Sequence, residues 1–347
     1  MRNRRISFAR LGWMVILSVV INSSALAGGV TVITHGFNGN VEDWIIPMAD
    51  RMANHPSFRG TEITCYEFRV RASDDGTVNV TALQLAGPAP SESDSGEIVV
   101  KLDWSAEAGF SGLSSTQVAE AAVLGFLDPD IVEGLGGHSL AESPLHLIGH
   151  SRGGSVVTEM ARAFGGHGIW VDHVTTLDPV PVAAFGDAPA ITWENVLYAD
   201  NFYQQIGGFF VPTGDTILGA FNRKLTNLSG GYSSPHSDAH LWYHGTIELD
   251  TPATDTQANI EEIQRSSWWA EAESEGVDVG FRYSRIGAGD RLSAAAPAGD
   301  GLDAINEGYN RLWDFGAGIE MNRTTLTTKT EQWPNVIVAR RPNNSPV

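Results

Sequence analysis

The run Gly149-His150-Ser151-Arg152-Gly153 constrains this chain more than any other stretch. It fits the pattern glycine, any residue, serine, any residue, glycine, and its setting is specific. An apolar segment with Leu145, Leu147 and Ile148 enters it, and Val156, Val157, Met160 and Ala161 follow at helical spacing. A serine on a sharp strand-to-helix turn is held in a strained backbone conformation, with its hydroxyl exposed above the sheet. The flanking glycines let strand and helix approach without a Cβ clash. The helix that begins here also points its N-terminus at the serine, where it favours developing negative charge. Such a turn needs a sheet below it and helices packed on that sheet. Ser151 is therefore the candidate nucleophile of an α/β architecture.

The rest of the chain fits that architecture as far as residue 250. Apolar, strand-like runs alternate with helix-like stretches, the pattern of a mostly parallel sheet covered on both faces. Strands are expected over Val30–Thr34, Glu62–Val70, Val78–Leu85, Glu97–Leu102, Pro144–Ile148, Val174–Leu177 and Val196–Ala199. Helices are expected over Val41–Asn54, Ser115–Phe126 with Ser114 or Ser115 as its cap, Gly153–Phe164 and Thr256–Glu275. Residues 204–231 are aromatic and Gly-rich without a clear period, and are read as a lid or an ordered insertion. Asp74-Asp75-Gly76 reads as a turn, since other calcium ligands are missing at the required spacings.

The N-terminus carries Arg2, Arg4, Arg5 and Arg10, then an apolar run from Leu11 to Ile21, then Ala25-Leu26-Ala27. That order fits an export signal over residues 1–27, cut before Gly28. The apolar run is shorter than the roughly 20 residues of a permanent span. A secreted or periplasmic protein without a stable membrane span is the expectation. The formal charge of −19 over 347 residues argues against nucleic acid as a partner. Cys65 is the single cysteine, so no intrachain disulfide can form. Residues 28–286 read as one catalytic domain and 287–347 as an appendage.

A nucleophilic serine needs a base, an acid to orient it and two N–H donors for the oxyanion. Phe37, in His35-Gly36-Phe37 after the first strand, and Arg152, after the serine, suit the donor roles. For the acid, Asp178 ends VTTL and Asp200 ends VLYA; Asp178 is preferred. For the base, His236 follows a Ser/Gly/Pro-rich loop, whereas His240 and His244 lie against Trp242 and Tyr243 and suit packing better. His138, His146 and His167 lack a metal-ligand partner at helical spacing, and no nucleotide-binding glycine motif is present.

VITHGF, the LDW of Leu102-Asp103-Trp104, LHLIGHSRGG, TTLDPVPV and HSDAHLWY occur in the same order as in lipases. Over about residues 30–250 the chain resembles pancreatic-type lipases of the α/β-hydrolase superfamily, where an L-D-P carries the acid. It is also similar to fungal triacylglycerol lipases in the His-Ser segment. The resemblance implies an α/β-hydrolase fold and an ester-cleaving Ser151-His236-Asp178 triad with no cofactor and no metal. The expected substrate is an ester or lipid. The fungal pattern, with its acid after the later strand, keeps Asp200 open. Arg152 departs from the pancreatic-type pattern, which has Leu there, and no cysteine frame supports a lid. Another acyl-transfer enzyme on the same fold, a peptidase or acyltransferase, or a non-catalytic binding protein, are the alternatives.

Overall fold

The computed structural model describes residues 29–53, 63–90, 97–207, 211–247, 267–268 and 280–283, less 111, 136, 138, 144, 168, 170, 194, 227 and 229. The export signal expected over residues 1–27, His138, Phe209, Phe210, the appendage expected over 287–347 and all but two residues of the helix expected over Thr256–Glu275 lie outside the described residues.

One sheet of eight strands organises the chain, in the spatial order β3-β2-β4-β1-β5-β6-β7-β8. The strands are β1 (Val30–Thr34), β2 (Ile63–Ala72), β3 (Val78–Ala86), β4 (Glu97–Asp103), β5 (Leu145–His150), β6 (Val171–Leu177), β7 (Val196–Gln204) and β8 (Phe221–Leu225). All neighbours pair in parallel except β2 and β3, which form an antiparallel hairpin at one edge. The hairpin turns at Asp74-Asp75-Gly76. There Gly76 takes φ 83° and the Asp75 carboxylate accepts from Thr77 N–H and Oγ1.

Strand alternation sorts the core into two layers. Val30, Val32, Val100, Leu102, Leu145 and Leu147 face α2 (Ser115–Leu127) and α3 (Arg152–Gly166). Ile33, Val99, Ile148, Leu177 and Phe202 face α1 (Ile45–Ala53) and α4 (Pro235–Ile247). Each such fully buried aliphatic side chain stabilises the fold by about 1.5–3 kcal/mol before chain entropy is charged against it. Ser114 caps α2 through Gln117 N–H, and the Gln117 side chain returns to the Ser114 N–H, a capping box. A mostly parallel sheet covered by helices on both faces, with the serine turn on central β5, is the α/β-hydrolase type of fold.

Most expected elements form with ends moved by a few residues, and four larger departures have physical reasons. Helix α1 starts at Ile45, not Val41, because the Asn40 side chain accepts the Asp43 N–H and closes a turn there. Strand β7 runs on through Asp200 to Gln204, carrying Phe202 and Tyr203 into the core. Within the aperiodic segment 204–231, residues 221–225 form edge strand β8, parallel to β7. The histidine-rich segment is itself helix α4, packed around by Trp268 and Phe281: Trp242 Nε1 donates to Trp268 O at 3.1 Å and Phe281 N–H donates to Thr246 Oγ1 at 2.9 Å.

Candidate active site

Ser151 stands between β5 and α3 with φ 56° and ψ −124°, a conformation that strains any residue with a Cβ. The surroundings impose it. A Cβ on Gly149 would strike the Gly153 carbonyl, and one on Gly153 would strike the His35 carbonyl, so strand and helix meet there backbone to backbone. Ser151 N–H donates to Leu177 O at 3.0 Å, and Ser151 O accepts from Val180 N–H at 3.1 Å. These two bonds bracket Asp178, so the serine and the acid are fixed to each other through the main chain.

Asp178 follows β6 in the left-handed region at φ 44° and is fully buried. Its carboxylate accepts four hydrogen bonds. Oδ1 takes the N–H groups of Gln204 and Gly214 at 2.9 and 2.8 Å; Oδ2 takes Gln204 Nε2 at 2.8 Å and His236 Nδ1 at 2.6 Å. Since a carboxylate only accepts, Nδ1 carries the proton and Nε2 is the imidazole atom left for chemistry. No hydrogen bond links Ser151 Oγ to His236 among the described residues; catalytic contacts of this kind commonly tighten only when substrate is bound.

His236 sits in the first turn of α4, with Pro235 before it and Ser234 as cap, whose Oγ accepts the His236 N–H at 3.3 Å. From the serine side, His150 Nε2 donates to His236 O at 2.9 Å, and the two rings lie 4.6 Å apart. Burial, and then the neighbouring His236, push the His150 pKa down to about 3. A neutral ring there places no second cation beside an imidazolium at His236.

The remaining candidates go elsewhere. Asp200 Oδ1 lies 2.9 Å from His173 Nε2 and accepts from Thr175 Oγ1 at 2.6 Å, within the sheet. His146 joins that buried group through Thr175 at 2.9 Å and stacks on His173 at 3.9 Å. His240 stacks on Trp44 at 4.4 Å, and burial holds its pKa well below the ordinary value. His244 is wholly buried, which pushes its pKa down to about 3. Among the described residues no group of His, Cys, Asp and Glu is arranged to hold a metal ion, and no helix is long and apolar enough to cross a membrane.

The loop after β1 approaches the serine closely: a Cβ built on Gly36 would lie 2.6 Å from Ser151 Cβ and 3.0 Å from its Oγ. Gly39 N–H closes a turn onto Gly36 O at 3.1 Å, with Asn38 at φ 48°. Phe37 lies inside that turn, and Arg152 opens α3. No hydrogen bond among the described residues engages the N–H of either residue. The Arg152 side chain is fully buried, with Nε and Nη2 on the Asp187 carboxylate at 2.6 and 2.7 Å. Sequence reasoning singled out Arg152 for its main chain and missed its side chain, together with His150, Asp187, Gln204 and Gly214. Arg152 alone carried a signal, a charged residue where pancreatic-type lipases have Leu.

No protein-family model matches the chain, and no curated protein matches it. Among solved structures it is similar to a provisionally named cell surface hydrolase from Lactobacillus plantarum WCFS1: 13% identity, 81% of this chain and 98% of that one covered, TM-score 0.35. A gene product from Listeria innocua is similar at 12% identity over 70% of this chain and 93% of its own, with a TM-score of 0.33. Likeness this distant bears on neither substrate nor mechanism. Strand order and the serine turn on β5 rest on this chain's own geometry, and they are of the α/β-hydrolase type.

Proposed function

We propose that this protein is a serine hydrolase that cleaves carboxylic esters, an esterase or lipase. The observation that carries the reading is the 2.6 Å bond from His236 Nδ1 to buried Asp178, set behind a serine in a strained strand-to-helix turn. His236 Nε2 takes the proton from Ser151 as Oγ attacks the ester carbonyl, and Asp178 holds the tautomer and supports the imidazolium. The N–H groups of Phe37 and Arg152 stabilise the oxyanion, helped by the α3 N-terminus. His236 then protonates the departing alcohol. In the second half it takes a proton from water, which attacks the acyl-enzyme and releases the acid and Ser151. Every group these steps require is a side chain or main-chain N–H of this protein, so they call for no cofactor.

The lipase resemblance favours an acyl ester over an amide, and the segment 1–27 favours action outside the cytoplasm. Turnover of p-nitrophenyl esters of graded chain length by the wild type, beside Ser151→Ala, tests the reading. Hydrolysis that disappears in the variant supports it. Equal turnover by both proteins, or none by the wild type on any ester, rejects it.

A further inference from the structure

The Arg152 guanidinium lies over two aromatic rings, 5.1 Å from the centroid of Trp104 and 5.0 Å from that of Phe185. Each ring stacks on a residue that flanks Gly36 in the chain. Trp104 stacks on His35 at 5.2 Å and 9°, and the Trp104 main-chain N–H donates to His35 Nε2 at 3.3 Å. Phe185 stacks on Phe37 at 5.5 Å and 19°. A third link runs through one carbonyl: Ala108 O accepts from Arg152 Nη1 at 2.9 Å and from Asn38 N–H at 3.3 Å. Nη2 also donates to Leu113 O at 3.0 Å. The fork is held in plane by Asp187, whose two oxygens it meets while they also accept Ser115 and Val182 N–H at 3.0 and 2.9 Å.

From these contacts we infer that the Arg152 side chain is the positioning residue of the oxyanion hole, an inference that rests on the serine-hydrolase reading above. Its main chain supplies one donor, and its side chain fixes the loop that supplies the other, Phe37 N–H. The guanidinium suits this task because it is planar, stacks on both faces and donates in a rigid fork; an ammonium does none of the three. Oxyanion donors act only if they are already in place when charge develops, so loosening the Phe37 loop weakens transition-state binding and leaves substrate binding nearly intact.

The test compares Arg152→Lys, which keeps the charge facing Asp187, the double variant Arg152→Met/Asp187→Asn, which removes both charges, and Phe185→Leu, which removes one ring. Folding is checked by circular dichroism, and a variant that unfolds is replaced in the comparison by the other two. The readouts are kcat and KM on a p-nitrophenyl ester, and the inhibition constant of an aryl boronic acid, whose tetrahedral adduct with Ser151 Oγ places an oxygen in the hole. The expected result is a kcat loss of about 10- to 100-fold, KM within about 3-fold, and boronate affinity weakened by the same factor as kcat. Lowered melting temperature with unchanged kcat and boronate affinity overturns the inference and makes the side chain purely structural. A wild type that neither turns over ester nor reacts with a fluorophosphonate overturns the serine-hydrolase reading and this inference with it.

Discussion

Asp178 Oδ2 accepts a hydrogen bond from His236 Nδ1 at 2.6 Å while the same carboxylate accepts three further hydrogen bonds from Gln204 and Gly214. A buried carboxylate bound at every lone-pair direction cannot rotate, so it fixes the imidazole's tautomer and direction together. Asp178→Asn presents an N–H or a weaker acceptor to Nδ1 and should lower kcat by about three to four orders of magnitude. Asp200→Asn, in the His173 group, should cost stability while leaving kcat within about 3-fold. Steady-state kinetics and thermal melts of the two variants separate them; a dead Asp200→Asn beside a working Asp178→Asn transfers the acid's role to Asp200.

Replacing His236 by Ala should abolish turnover as fully as Ser151→Ala, and the double variant should lose no more than either single one, because base and nucleophile act as a unit. His240→Ala opens space beneath Trp44, 4.4 Å away, and should lower the melting temperature with kcat largely kept. Additive losses in the double variant contradict the pairing of Ser151 with His236.

The Gly36 position has no room for a methyl group, since its Cβ would lie 2.6 Å from Ser151 Cβ. Gly36→Ala must displace either the serine or the loop bearing Phe37. Activity should fall by at least about 100-fold, the scale of losing one oxyanion donor. Wild-type kcat in that variant places the loop away from the reacting atoms.

Asp238, in the first turn of α4, is buried, and burial raises its pKa to about 7 despite the Tyr232 N–H bond at 2.7 Å. The folded state therefore holds this proton more tightly than the unfolded chain, whose Asp titrates near about 4. The stability it contributes is full below about pH 4, is lost as pH rises toward about 7, and stays lost above. Asp238→Asn keeps an acceptor for Tyr232 and should flatten that decline. Melting temperatures measured from pH 4 to 8 decide it: parallel curves for the two proteins refute the assignment.

The connection from β7 to β8 is tied down where it passes the site. Gly214 N–H binds Asp178, Pro212 O accepts from Gln204 Nε2 at 2.8 Å, and Asp215 O accepts from Asn201 Nδ2 at 2.8 Å. A segment that completes the hydrogen bonds of Asp178 cannot swing away without breaking them. Activity should therefore follow monomeric ester concentration smoothly. A jump in rate as the ester passes into emulsion identifies a lid instead.

How much of this was legible in the sequence depended on whether a local pattern reported the fold. The turn at Ser151 was legible, because strand, glycines and helix each carry their own signal. Helix α4 was not, since Asp238 to Ile247 are all buried and a helix covered on every side has no polar stripe to reveal its period. Strand β8 was hidden because it is a short edge strand carrying Asn222, Arg223 and Lys224, the polar dress that protects edges. Asp200 looked like a strand end only because the polar Asn201 follows it. Which acid meets which histidine is a question of long-range geometry, and neither spacing nor composition encodes it.

Reaction of the protein with a fluorophosphonate, followed by mass spectrometry of the modified peptide, asks whether Ser151 is the nucleophile. One adduct is expected, on Ser151, formed more than about 100-fold more slowly in His236→Ala and absent in Ser151→Ala. An unlabelled wild type, or an adduct that persists in Ser151→Ala, contradicts it.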